Sequence, residues 1–118
     1  MIRVLVVDDS VVFRAAATDV ILAADGFELA GAAQSGEQAV ELACISRPDL
    51  ALIDINMPGL DGYETAARLA KESPATMAVL MTAMPDPSGR PGELFDKRKL
   101  SPTALSEIWQ GTQKSSAF

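Results

Sequence analysis

The nine residues Ile2–Ser10, IRVLVVDDS, join a nearly unbroken apolar run to two acids and a hydroxyl. A strand with one wet face alternates apolar and polar side chains. This run does not, which is the pattern of a strand covered on both faces in a parallel sheet. The same pattern returns in LALI at 50–53 and MAVLM at 77–81. Helical spacing lies between the runs. Phe13, Ala16, Ala17, Val20, Ile21 and Ala24 follow the i, i+3, i+4, i+7 rule of one apolar stripe, and Gly26 is placed to stop it.

Turn and cap chemistry sets the boundaries. Ser35 with Gln38, and Asp61 with Glu64, have the spacing of capping boxes ahead of helices over 36–46 and 62–72. Pro48 and Pro74 follow the ends of those helices, and FELAGAA at 27–33 reads as another strand. Ser101 and Pro102 open a last helix with Leu105, Ile108 and Trp109 on one face. The expected order is strand 2–7, helix 10–24, strand 27–33, helix 36–46, strand 50–54, helix 62–72 and strand 77–82. Such alternation builds an α/β parallel sheet with helices on both faces, because each parallel connection needs a right-handed crossover. Binding sites then lie beyond the carboxyl ends of the strands.

The stretch Met84–Lys99, MPDPSGRPGELFDKRK, breaks the rhythm with three prolines and two glycines. Pro87 and Pro91 would each interrupt a helix, and Gly89 and Gly92 would weaken one. The segment is nevertheless expected inside the domain, because the last helix cannot form a core alone. ELFDK at 93–97 is the candidate fifth strand, and residues 1–118 are expected to be one domain.

Composition excludes several classes. The net charge of −6, with ten basic residues in 118, argues against direct nucleic-acid binding, which needs a clustered basic excess. No membrane association is expected, because the apolar run at the start is too short to cross a bilayer and no small-residue cleavage pattern follows it. The cytoplasm is the expected compartment. Cys44, the single cysteine, closes no internal disulfide, and its place in AVELACIS suggests a small buried apolar side chain.

Each expected strand delivers a polar group at its carboxyl end: Asp8 and Asp9, Asp54, Thr82, and Lys97. Taken singly these are ordinary, since paired acids commonly cap a helix and a lysine beside Arg98 and Lys99 is commonly a solvated charge. As a set they converge. Carboxylates gathered together raise one another's pKa unless a cation sits between them. Oxygen donors in a chain without histidine favour Mg²⁺ over zinc. A metal beside a carboxylate, a hydroxyl and an ammonium suits phosphoryl transfer, with Asp54 as the nucleophile.

VLVVDDS, DLALIDINMPGLDGYE, VLMTAM and LFDK together resemble the receiver domain of two-component response regulators, the CheY-like family, over nearly the whole chain. The resemblance implies a flavodoxin-like, doubly wound sheet of five parallel strands in the order 2-1-3-4-5. It implies that Asp54 is phosphorylated by a sensor histidine kinase, a phosphotransfer protein or a small donor such as acetyl phosphate. Asp9 and Asp54 would hold Mg²⁺ directly, Asp8 through water, and Asn56 through its backbone carbonyl. Thr82 and Lys97 would contact the phosphoryl group, with the backbone amides of Asn56 and Ala83 facing it. Signalling would pass to a downstream protein or output domain by phosphorylation-dependent binding. No enzyme activity is implied beyond the domain's own phosphorylation and dephosphorylation.

The departures fall together near the end of the chain. Only fifteen positions separate Thr82 from Lys97, so the family's fourth helix is expected to be shortened or replaced by a loop. Leu94 stands where the family often has a switch aromatic, and Arg98 stands where it has a proline, removing the usual reason for a cis bond. A register with Lys99 as the site lysine would misplace Leu94 and Phe95 in the strand. Output through a mobile 83–93 loop is the resulting expectation, with a monomer as the expected state and the chain either stand-alone or one receiver of a longer protein. The main alternative is a phosphorylation-independent pseudo-receiver that binds a protein. A phosphatase of the haloacid dehalogenase kind would need an acid at Asn56.

Overall fold

The computed structural model describes residues 1–84 and 94–115. The elements run β1 Ile2–Val7, α1 Val11–Ala23, β2 Phe27–Ala33, α2 Gly36–Ser46, β3 Leu50–Asp54, α3 Gly62–Glu72, β4 Met77–Thr82, β5 Phe95–Asp96 and α4 Pro102–Ser115, with a 3₁₀ turn at Lys97–Lys99. All strand pairs are parallel, in the order β2-β1-β3-β4-β5. This is the expected sheet, and four α-helices pack against it among the described residues.

The unbroken apolar runs are explained by two cores. Side chains alternate across a strand, so Val4 and Val6 of β1 join Leu50, Leu52 and Met81 beneath Ala17 and Ile21 of α1 and Leu105 of α4. Leu5 and Val7 face the other way, with Ala51, Ile53, Ala39, Val40, Ala43 and Leu69. Each fully buried Leu, Ile or Val side chain contributes about 1.5–3 kcal/mol of hydrophobic stabilisation. A one-residue slip of β1 would exchange the two sets, so the register is strongly specified.

Caps hold the helices where the acids are needed. Ser10 Oγ accepts from Phe13 N at 3.2 Å, and Ser101 Oγ accepts from Ala104 N at 3.0 Å. Asp61 and Glu64 form the expected reciprocal capping box. At α2 only half the box forms: Ser35 Oγ accepts from Gln38 N, while the Gln38 side chain reaches Gln34 N at 2.7 Å. Gly62 opens α3 against the end of β3, where an added Cβ would lie 2.5 Å from Asp54 O.

Three expectations are corrected. Cys44 is exposed, because the buried positions of α2 are Gly36, Ala39, Val40 and Ala43, and residue 44 lies roughly 100° round the helix from Ala43. Ala16 is likewise exposed, whereas Ala17, Ile21 and Ala24 are buried. β5 is shorter than the described part of ELFDK: of residues 94–97 only Phe95 and Asp96 pair with β4, and Lys97 begins the turn, while Glu93 lies outside the described residues. The expected loop in place of the family's fourth helix falls on residues 85–93, which lie outside the described residues. All peptide bonds among the described residues are trans, including the one to Arg98.

Candidate functional site

At the carboxyl edge of the sheet, Asp8 and Asp9 follow β1, Asp54 ends β3, Thr82 ends β4 and Lys97 follows β5. One carboxylate oxygen from each of Asp8, Asp9 and Asp54 lies within 4.8 Å of the others. Asp8 is fully buried and Asp54 is 6% exposed, whereas Asp9 stands at the surface. Asp8 is gripped from three sides. Its Oδ1 accepts from Ser10 N at 2.9 Å, its backbone oxygen accepts from Arg14 Nη1 at 2.8 Å, and its Oδ2 meets the Lys97 ammonium. Lys97 is thus the charge partner of this buried oxygen, which has no other partner among the described residues.

Asp54 Oδ1 accepts from Asn56 N at 3.2 Å, and Oδ2 lies 3.6 Å from Lys97 Nζ. Burial pushes the Asp54 carboxyl above the usual carboxylate range. The Asn56 amide and the Lys97 ammonium pull it back, and the charges of Asp8 and Asp9 add to the rise. Lys97 also sits over the Phe13 ring, 4.3 Å from its centroid, which gives the ammonium an apolar and weakly attractive floor. Lys99, the alternative site lysine, is exposed.

Asp8, Asp9, Asp54, Lys97 and the Asn56 amide are thus brought together. Thr82 is at the rim but turned to its own chain: Oγ1 donates to Met84 O at 3.0 Å and accepts from Met84 N at 3.1 Å. Ala83 and Asn56 are exposed beside it on the loops that follow β4 and β3. Sequence reading missed Ser10 N, Arg14 and Phe13 as partners of the acids and the lysine. Phe13 was legible only as part of an apolar stripe, and Arg14 carried no local signal. Glu37 was also missed: its Oε1 accepts from Leu60 N at 3.2 Å, tying α2 to the loop after Asp54.

A hard divalent cation fits this donor set. The ligands are all oxygen, three acids converge against the single ammonium of Lys97, and burial raises the pKa of Asp54, a cost that a bound cation would offset.

Comparisons with known proteins agree with the geometry. The family described as the response regulator receiver domain matches residues 4–90. A protein-glutamate methylesterase/protein-glutamine glutaminase of Anaeromyxobacter dehalogenans is 45% identical over 84 residues, covering 71% of this chain and 24% of that protein. Response regulator GacA of Pseudomonas viridiflava is 39% identical over 82 residues, covering 70% of this chain and 38% of its own length. The chain therefore matches only a minor part of these relatives. The crystal structure of the response regulator domain of Thermotoga maritima CheB superposes with a TM-score of 0.79 at 27% identity, covering 93% of this chain and 95% of that one. Acids converging at the carboxyl edge of a 2-1-3-4-5 sheet, and a family match over most of the length, make this chain a member of the response regulator receiver domain family.

Proposed function

We propose that Asp54 is the phosphoacceptor of a two-component signalling system, in a single receiver domain spanning residues 1–118. The observation that carries this reading is the placement of Asp54 Oδ2 beside the Lys97 ammonium, within a cluster that also holds Asp8 and Asp9. In the transfer, an Asp54 carboxylate oxygen attacks phosphorus. A new O–P bond forms as the P–N bond of a phosphohistidine, or the P–O bond of acetyl phosphate, breaks, and the leaving group keeps the bonding pair.

The chain's residues have distinct tasks in this reading. The Asn56 amide orients Asp54 through Oδ1, leaving Oδ2 on the Lys97 side, and the Lys97 ammonium pairs with a phosphoryl oxygen. Asp9 and Asp54 would hold Mg²⁺ directly, Asp8 through water and Asn56 through its carbonyl. The bound ion supplies charge neutralisation for the phosphoryl oxygens. Thr82 must exchange its two Met84 contacts for the phosphoryl group, with the Ala83 amide beside it. That exchange would release Met84, the residue that leads into the 85–93 segment, and it is where a signal would begin.

The partners are a histidine kinase or phosphotransfer protein upstream and a protein or output domain downstream. The chain itself works as a monomer in the cytoplasm, with no direct nucleic-acid or membrane contact and no enzyme activity beyond its own phosphorylation and dephosphorylation. Among the described residues no helix is long and apolar enough to cross a membrane.

Intact mass after incubation with acetyl phosphate and Mg²⁺ tests the reading. One added phosphoryl group is expected, absent in Asp54→Asn and in metal-free samples. An adduct that survives in Asp54→Asn would assign the acceptor elsewhere. No adduct from either acetyl phosphate or a phosphorylated kinase would favour a pseudo-receiver.

A further inference from the structure

Lys97 is held at the site by a turn that contains no proline. Asp96 is the last residue of β5, in register with Thr82, and is 9% exposed. Its Oδ1 accepts from Arg98 N at 2.9 Å and from Arg98 Nε at 3.0 Å, and its Oδ2 accepts from Arg98 Nη2 at 2.9 Å. The carboxylate therefore bridges from the residue before Lys97 to the residue after it, as an Asx turn with a bidentate guanidinium fork added. On the far side, Leu100 N donates to Lys97 O at 3.3 Å.

The two cations leave this turn in opposite directions. The Lys97 side chain is 11% exposed and reaches Asp8 and Asp54, whereas the Arg98 side chain is 69% exposed and folds back over Asp96 from outside. A proline after the lysine would fix the next φ covalently. Arginine leaves that φ free, so the restraint on the turn must come from hydrogen bonds. Exposed ion pairs alone stabilise little. This one has a buried carboxylate and a bidentate geometry, and it shares its oxygen with the backbone bond that closes the turn. The Asp96 carboxyl is held below the usual range by the Arg98 side chain and then by the Arg98 amide.

We propose that Asp96 and Arg98 are positioning residues that together aim the Lys97 ammonium at Asp8 and Asp54, in place of a proline. The geometric part stands on the turn itself, while its consequence for phosphoryl transfer rests on the function proposed above.

Two readouts on the full chain separate these. The first is side-chain ¹⁵N NMR of the lysine ammonium groups, with Lys97 identified by its loss in Lys97→Met. A distinct, slowly exchanging Lys97 signal is expected in the native protein, merging with the exposed lysines in Arg98→Ala, Arg98→Lys and Asp96→Ala. Arg98→Ala alters an exposed side chain, so it decides the matter even if Asp96→Ala fails to fold. The second is the rate of phosphorylation by acetyl phosphate with Mg²⁺. Lys97→Met should be on the order of 100-fold slower, the cost of removing one preorganised donor from the developing charge, and Arg98→Ala should be slower by a smaller factor. The double variant Arg98→Ala/Lys97→Met should be no slower than Lys97→Met, whereas a merely structural role would slow both backgrounds alike.

An unchanged Lys97 signal in Arg98→Ala, or no distinct signal in the native protein, overturns the proposal. Full recovery by Arg98→Lys also overturns it, since an ammonium cannot make the fork. If the signal is lost in Arg98→Ala but the native protein takes no phosphoryl group, positioning stands and the phosphoacceptor reading falls.

Discussion

The ammonium of Lys97 lies 2.5 Å from Oδ2 of Asp8, a buried oxygen that has no other partner among the described residues. The lysine is thus the internal counter-charge of the acid cluster. Removing one partner of such a pair leaves a buried charge uncompensated. Lys97→Met is expected to lose about 3 kcal/mol of stability without metal, and Mg²⁺ at 100 times its Kd should restore about 2.7 kcal/mol by binding only the folded state. Urea unfolding with and without Mg²⁺ measures both. Unchanged stability in Lys97→Met would mean that Asp8 does not depend on the lysine.

Asp54 gives the metal-free protein a specific pH dependence. Burial raises its folded pKa above the unfolded value, so the folded state favours the protonated form. The fold carries no penalty below the unfolded pKa. The penalty then grows with pH and is complete above the folded pKa. Asp54→Asn should therefore match the native protein in stability at low pH and exceed it at neutral pH. Denaturant midpoints from acid to neutral pH would show the crossing, and a constant difference would contradict it.

Gly62 cannot carry a side chain without moving the acceptor. Its Cβ would lie 2.5 Å from Asp54 O, 2.6 Å from Ile55 Cα and 2.9 Å from Asp54 C, all backbone. Gly62→Ala is expected to cost about 3 kcal/mol by overpacking. It should also change the amide shifts of Asp54 and Asn56 in NMR spectra. A cost near zero would show that α3 can shift freely.

Glu37 ties α2 to the loop that follows Asp54. Its carboxylate accepts from Leu60 N, and the charge is favoured first by its own backbone amide and then by that of Leu60, holding its pKa below the usual range. The link should persist above the unfolded pKa and be lost as pH falls through the folded one. Hydrogen exchange should find the Leu60 amide protected in the native protein, less so in Glu37→Gln and least in Glu37→Ala. Equal protection in all three would remove Glu37 from the loop.

Cys44 is exposed on α2 beside Arg47, Pro48 and Glu72, which line a shallow groove of about 380 Å³. A thiol reagent should label the one cysteine of the folded protein without denaturant, and Cys44→Ser should change stability by less than about 0.5 kcal/mol. Labelling that requires unfolding would restore the buried reading.

Local chemistry in the sequence determined the element order and the acids of the site. IRVLVV, LALI and MAVLM are apolar because both faces are covered, and Ser10, Asp61 and Ser101 cap the helices they precede. Asp8, Asp9 and Asp54 were readable because strand ends of a parallel sheet converge once the strands are placed.

Other features needed contacts between residues far apart or a known azimuth. The exposure of Cys44 depends on which side of α2 meets the sheet, and one position decides it. Glu37 and Leu60 meet across 23 positions, and Phe13 lies under a lysine from the far end of the chain. Asp96 and Arg98 are only two positions apart, but that the carboxylate is buried beneath the exposed guanidinium depends on where β5 pairs with β4. A local pattern records which side chains are apolar and which residues can cap. Only the packed tertiary structure decides which polar groups are left facing one another when water is excluded.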